Sequence, residues 1–130
     1  ALSDKTAEQD FHIYGEKGKY SGINSLELED LWKHLPHEIK KIKTKTLDDW
    51  WNEQGKPKID LIKIDCEDHD YKILLGGQQT IETTRPEYIN IEQKNDDVRK
   101  FLMNLDYTDQ NEYSHIGPSS SVTWKQKGTL

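Results

Sequence analysis

The chain is short of the residues that usually settle a class at sight. In 130 residues it has one cysteine, one methionine and two phenylalanines, and only 32% of it is hydrophobic, matched by 32% charged. A single thiol, Cys66, cannot close an internal disulfide, which excludes the disulfide scaffolds and fits a reducing cytoplasm. No apolar run approaches the ~20 residues of a membrane span, and no secretory leader opens the sequence. A net charge of -6, with Lys and Arg dispersed among acids, lacks the concentrated basic face of a nucleic-acid footprint. The one basic run, Lys40 to Thr46, alternates as the solvent face of a strand does. These absences leave neither membrane nor nucleic acid as an expected partner.

What is present argues for folding. Four Trp, six Tyr and several strongly periodic runs exclude a disordered composition, and the length allows one domain with a thin core. Alternation predicts a short strand at Phe11–Ile13, followed by a Gly-rich link. Leu28, Leu31, Trp32 and Leu35 recur at helical spacing and are stopped by Pro36. A strand is expected near residues 39–44. Thr46 then heads a short helix, "LDDWWNE", with an acid three residues after the Thr, and Gly55 ends it. Residues 59–65, "IDLIKID", form the most apolar strand, of the kind expected in a parallel sheet covered on both faces. After it come a helix with Tyr71, Leu74 and Leu75 inward, a break at Gly76-Gly77 and a further helical turn or two. Arg85-Pro86 forces extended backbone before the strand at 87–92. Asn95 or Asp96 caps a helix carrying Val98, Phe101, Leu102 and Leu105, and two short strands close the chain, around Tyr107 and at "SVTWKQ". The pattern is α/β.

The strand at 59–65 runs into Asp65, Glu67, Asp68, His69 and Asp70. Asp68 as a helix N-cap and Asp70 in the first turn, at the positive end of the helix dipole, account for two of these acids without any function. Asp65 and Glu67 are different, since carboxylates at a strand end cost solvation unless something pairs with them. Ligands of open α/β sheets bind beyond the carboxyl ends of the strands, where both Asp65 and Glu92 fall. A dedicated metal site is not expected: the calcium-loop pattern is missing and no second His cluster completes a zinc site. Nor does Cys66 suit a nucleophile, because its acidic neighbours raise a thiol pKa. The remaining chemistry is acid–base or cofactor-orienting work, in which a carboxylate holds a hydroxyl or ammonium and a second group takes a proton.

The same residues resemble the FkbM family of S-adenosylmethionine-dependent methyltransferases. The resemblance is carried by Thr46-Leu47-Asp48, by Lys63-Ile64-Asp65-Cys66-Glu67, by Leu75-Gly76 and by Arg85-Pro86, in that order and at the family's distances. "ALSD" at the start, "SGINSL" after it and "LMNLDYTD" near Tyr107 extend it over essentially the whole chain. Asp68 and Asp106 stand where the family usually has Gly, and Asp70 replaces the commoner Glu.

The resemblance implies a partial Rossmann-like class I methyltransferase domain over residues 1–130. It would be a three-layer sandwich with a central parallel sheet and a C-terminal antiparallel strand pair. It further implies O-methylation of a sugar or other small hydroxylated substrate, with S-adenosylmethionine as cofactor. On that reading Asp65, Ala1 and Leu2 bind the cofactor, Gly22, Asn24 and Ser25 face the substrate, and Glu67 or His69 is the base. Nothing in the chain matches the family's Gly-rich cofactor loop or its ribose-holding acid, and the first residue is Ala, so the sequence reads as the later part of such a domain. The strand at 59–65 would then expose an unpaired edge, predicting poor solubility, dimerisation or pairing with an upstream half through that edge, or loss of order near residues 1–30. The competing reading is a non-catalytic α/β interaction module that kept the scaffold without the cofactor.

Overall fold

The structure is a computed structural model, and it describes residues 1–15, 24–27, 33–110 and 121–128. Two β units build it. The first is a ribbon in which β1 (Ala7–Tyr14) pairs antiparallel with β2 (His37–Thr44), Ala7 opposite Thr44 and Tyr14 opposite His37. β1 is longer than the three residues predicted from apolar alternation, because polar side chains on it are satisfied by hydrogen bonds. The Gln9 amide donates to Thr44 Oγ1 at 2.8 Å and to Ser3 Oγ at 3.0 Å. The lysines of β2 are exposed, Lys41 pairing with Asp10 across the ribbon at 2.6 Å. The predicted helix through Leu28, Leu31 and Trp32 lies outside the described residues, as does Gly22.

The second unit is a four-stranded mixed sheet of β3 (Leu61–Ile64), β4 (Tyr88–Ile91), β5 (Tyr107–Asp109) and β6 (Val122–Gln126), in the order β3-β4-β6-β5. β3 and β4 run parallel with Leu61 opposite Tyr88 and Ile64 opposite Ile91; the other two pairings are antiparallel. The chain is therefore α/β, and among the described strands of this sheet only β3 and β4 pair in parallel. Among the described residues β3 is an edge strand, and its exposure corrects the expectation of cover on both faces: Leu61 is 61% exposed, Lys63 is exposed, and only Ile64 is buried.

Among the described residues four helices connect these strands: α1 (Leu47–Glu53), α2 (Asp70–Leu75), α3 (Gln78–Thr84) and α4 (Asp96–Asn104). Thr46 Oγ1 accepts from Asp49 N at 2.9 Å and Asn95 Oδ1 from Val98 N at 2.9 Å, each satisfying a donor that the helix start leaves without an intrahelical partner. The Asp49 carboxylate does not complete a capping box; it accepts from the Thr6 hydroxyl instead. The first turn of α3 is capped from a distance by Asp48, whose Oδ1 accepts from Thr80 N at 2.7 Å and from Thr80 Oγ1 at 2.6 Å. Gly76 and Gly77 part α2 from α3 for reasons of space: a Cβ on Gly76 would lie 2.2 Å from the Ser3 carbonyl oxygen, and one on Gly77 2.7 Å from Leu47 Cδ2.

The core gathers Ile64, Ile73, Leu74, Ile81, Ile89, Ile91, Val98, Leu102, Tyr107 and Trp124 between sheet and helices. Each such side chain is worth roughly 1.5–3 kcal/mol of burial. Tyr107 donates its hydroxyl proton to the Pro86 carbonyl at 2.7 Å, and burial pushes its pKa up to about 12. Among the described residues no helix is long and apolar enough to cross a membrane.

Candidate active site

The site grows from the carboxyl end of β3. Past Ile64 the chain turns through Asp65, Cys66, Glu67, Asp68 and His69 into α2, and two consecutive residues are left-handed, Glu67 at φ 46° and Asp68 at φ 61°. That backbone favours Gly and costs other residues of order 1 kcal/mol or more, which explains the family's Gly at the position of Asp68. Asp106, the other Asp standing for a family Gly, is likewise left-handed at φ 63°.

Side chains hold this turn. Asp70, 0% exposed, accepts from Cys66 N at 2.8 Å through Oδ1 and from Gln93 N at 3.0 Å through Oδ2, so one carboxylate ties the end of β3 to the end of β4. Gln93 returns the tie, its Nε2 donating to the Asp68 carbonyl at 3.0 Å and its Oε1 accepting from Tyr71 N at 2.9 Å. Ser25 Oγ donates to the Glu67 carbonyl at 2.8 Å. Asp68 is therefore not the N-cap of α2: its backbone is left-handed, and His69 occupies the cap position without a side-chain cap bond. Asp70 does lie in the first turn, as predicted, and its side chain is also the clamp.

Parallel pairing sets Asp65 beside Glu92, and with Glu67 their carboxylate oxygens all lie within 4.8 Å of one another. The hydrogen bond to Glu92, then Lys63 at 3.2 Å, holds the Asp65 carboxyl below the usual carboxylate range. The same bond, then desolvation and the neighbouring acids, pushes Glu92 up. Glu67 is also raised, first by desolvation and then by Asp65, Asp68 and Asp70. Among the described residues no hydrogen bond reaches the Glu67 carboxylate, so the proton it gains or loses stays available. Three partly exposed acids do not by themselves specify a cation. Desolvation, together with Asp70, Asp65 and Glu67, raises the Cys66 thiol, which makes it a poor nucleophile.

A cleft of about 480 Å³ opens beside these groups. Its walls bring together Ala1, Leu2, Asn24, Ser25, Asp65, Glu67 and His69, with apolar cover from Phe11, Leu26, Leu47 and Ile62. Consecutive residues 62–67 line it, so the cleft runs along the free side of β3. The carbonyls of Asp60 and Ile64 accept from β4. By the alternation of a parallel ladder, the backbone groups of Leu61 and Lys63 therefore face away from β4.

His69 is 2% exposed and both its ring nitrogens are engaged: Nδ1 with Glu27 Oε1 at 2.6 Å and Nε2 with Ser3 Oγ at 3.0 Å. Of the two residues nominated as base, Glu67 has the carboxylate without a partner, whereas His69 is built into the wall. Sequence reasoning missed Ser3, Glu27 and Gln93 as parts of the site. Glu27 is 42 residues from His69, and no local pattern joins them. The Asp65–Glu92 pair was within reach, because two parallel strands in register bring their carboxyl-end acids side by side.

The family described as "Methyltransferase FkbM domain" matches residues 1–111. The chain is similar to the 2-O-methyltransferase NoeI of Sinorhizobium fredii (strain NBRC 101917 / NGR234), with 30% identity over 94 residues, 65% of this chain and 38% of that protein. The chain thus spans well under half the length of this curated relative. No solved structure gives a significant match. With the family match covering most of its length, this chain belongs to the FkbM methyltransferase family.

Proposed function

We propose that this chain carries the proton-accepting part of an S-adenosylmethionine-dependent O-methyltransferase acting on a sugar or another small hydroxylated molecule. The observation that supports it best is one cleft at the carboxyl end of β3, lined by two carboxylates and by seven residues nominated from sequence. Family membership and the similarity to a 2-O-methyltransferase point the same way.

The residues present fit a cationic cofactor. About 480 Å³ of space lies within the ~300–1,000 Å³ usual for small-molecule sites, with apolar walls and a few polar groups. Asp65 and Glu67 offer negative charge to a sulfonium and an ammonium. Bound there, S-adenosylmethionine supplies an electrophilic methyl group. Asp65, held ionised, orients the ammonium or the reacting hydroxyl. Glu67, with its affinity for protons raised, accepts the hydroxyl proton on a carboxylate oxygen. Ala1 and Leu2 would face the adenine of the bound cofactor, and Asn24 and Ser25 the substrate side. His69 holds the wall.

The free edge of β3 supports completion of the cleft by one more strand, from further polypeptide of the same protein or from a second copy. The 61% exposure of Leu61 on that edge also favours the second reading, a non-catalytic module that binds a partner strand. Calorimetric titration with S-adenosylmethionine, on this chain and on a form extended upstream, separates the two. Binding that weakens in Asp65→Asn is expected. Absence of binding in both folded forms would refute the enzyme reading.

A further inference from the structure

The structure assigns Ser3 and Glu27 as positioning residues: with the buried His69 between them they form a relay that pins the cleft wall 24–27 onto the turn bearing Glu67. The inference rests on Glu67 being the proton acceptor proposed above.

Three stretches far apart in sequence meet at one imidazole. Ser3 is 66 residues from His69 and 0% exposed; Glu27 is 42 residues away on the other side of the ring. An imidazole buried this deeply is tolerable only with both nitrogens satisfied, and both are. The outer ends are anchored in turn. Ser3 Oγ accepts from Gln9 Nε2 at 3.0 Å and lies 2.9 Å from Asp4 Oδ1, and Lys72 Nζ pairs with Glu27 Oε1 at 2.7 Å. Backbone pairing of Ser25 with His12 joins the same wall to β1, through His12 N to the Ser25 carbonyl at 2.8 Å and Ser25 N to the His12 carbonyl at 3.2 Å.

The consequence falls on Glu67. Its carbonyl is held by Ser25, two residues from Glu27, and its own backbone is left-handed, a state that persists only where surrounding contacts over-determine it. Removing the Glu27 carboxylate leaves His69 Nδ1 unpaired and loosens Ser25, so wall and turn lose their common fastening. Gln at position 27 keeps an oxygen acceptor for His69 and restores most of the geometry.

The test is amide hydrogen exchange on the full chain and on its E27A, E27Q and S3A variants, with methyl transfer measured alongside. In E27A and S3A, exchange at residues 25–27 and 67–69 should quicken by about tenfold while α4 keeps its protection, as a local opening requires. E27Q should exchange nearly as the parent does, and turnover should fall in the same order as protection. Unchanged exchange at 67–69 in E27A overturns the relay, as does an equal rise throughout the chain or an E27Q no better than E27A. If E27A fails to fold, S25A, which removes the hydroxyl that donates to the Glu67 carbonyl and accepts from Glu27 N at 3.0 Å, tests the same fastening of wall to turn. A parent that transfers no methyl group would sink the proposed function, while exchange would still decide the relay.

Discussion

Asp70→Asn probes how the two strand ends that carry the candidate site are kept together. The carboxylate is fully buried and accepts two backbone N–H groups, Cys66 at 2.8 Å and Gln93 at 3.0 Å. An amide retains one oxygen, so its NH₂ must confront one of those N–H groups, donor against donor. The change removes a charge-assisted bond of about 1.5–3 kcal/mol and leaves a backbone donor unsatisfied at about 1–3 kcal/mol. Part of this is offset because a buried charge disappears with the bond. A net loss of about 3 kcal/mol follows, a large share of the ~5–15 kcal/mol of a typical domain. Urea unfolding followed by tryptophan fluorescence measures it, and with an m-value of ~1–1.5 kcal/mol/M the midpoint should fall by about 2 M. A loss below about 1 kcal/mol would refute the reasoning, because the helix dipole alone accounts for that much.

Glu92→Gln should alter how stability depends on pH. Glu92 binds its proton more tightly folded than unfolded. Its contribution is therefore complete below the ordinary value of 4.5 and is lost as pH rises through the folded value. The amide still donates to Asp65 but does not titrate, so the variant should melt higher than the parent above pH 4.5, the gap closing below it; parallel melting profiles would contradict this. Asp65 acts in the opposite sense, its contribution present above 3.8 and lost as pH falls, so Asp65→Asn should flatten the acid limb of the same curve. Gly76→Ala sits at φ -73°, where Ala is unstrained, but its Cβ would meet the Ser3 carbonyl at 2.2 Å. A loss of about 1–3 kcal/mol by urea unfolding is expected from the clash, and stabilisation by the helix propensity of Ala would show that the close approach is absent. Leu61→Lys should reduce self-association in sedimentation while moving stability by less than about 0.5 kcal/mol, and unchanged association would argue against the β3 edge as a pairing surface.

Local chemistry made much of this fold legible. Thr46 and Asn95 cap the helices that their positions announce, and the apolar spacing of Val98, Phe101, Leu102 and Leu105 marks α4 and its end, whereas Arg85, expected to be extended before Pro86, is left-handed at φ 48° and ends α3. The strand ending at Asp65 and the cleft beyond it follow from the same pattern. What sequence could not reveal depends on distant partners. Gln9 and Asp10 extend β1 because their polar side chains are paired across the ribbon, which alternation counts as interruption. The cover of β3 depends on sheet order, and an apolar run reads alike at a centre or an edge. Asp68 looked like a cap because Asp before a helix usually is one, yet the left-handed turn takes its backbone elsewhere. His69 looked like a free base because Ser3 and Glu27 are invisible to local spacing.

The central claim is that Glu67, at the rim of the β3 cleft, takes the proton of a substrate hydroxyl. The most direct test is the pH dependence of methyl transfer from S-adenosylmethionine in the chain and its upstream-extended form, with Glu67 intact and as Glu67→Gln. The account predicts a rate that rises through an ionisation above the ordinary value of 4.5, and a variant that still binds the cofactor yet transfers ~10²–10⁴-fold more slowly at saturating cofactor. A variant as fast as the parent, with the same pH profile, would contradict it.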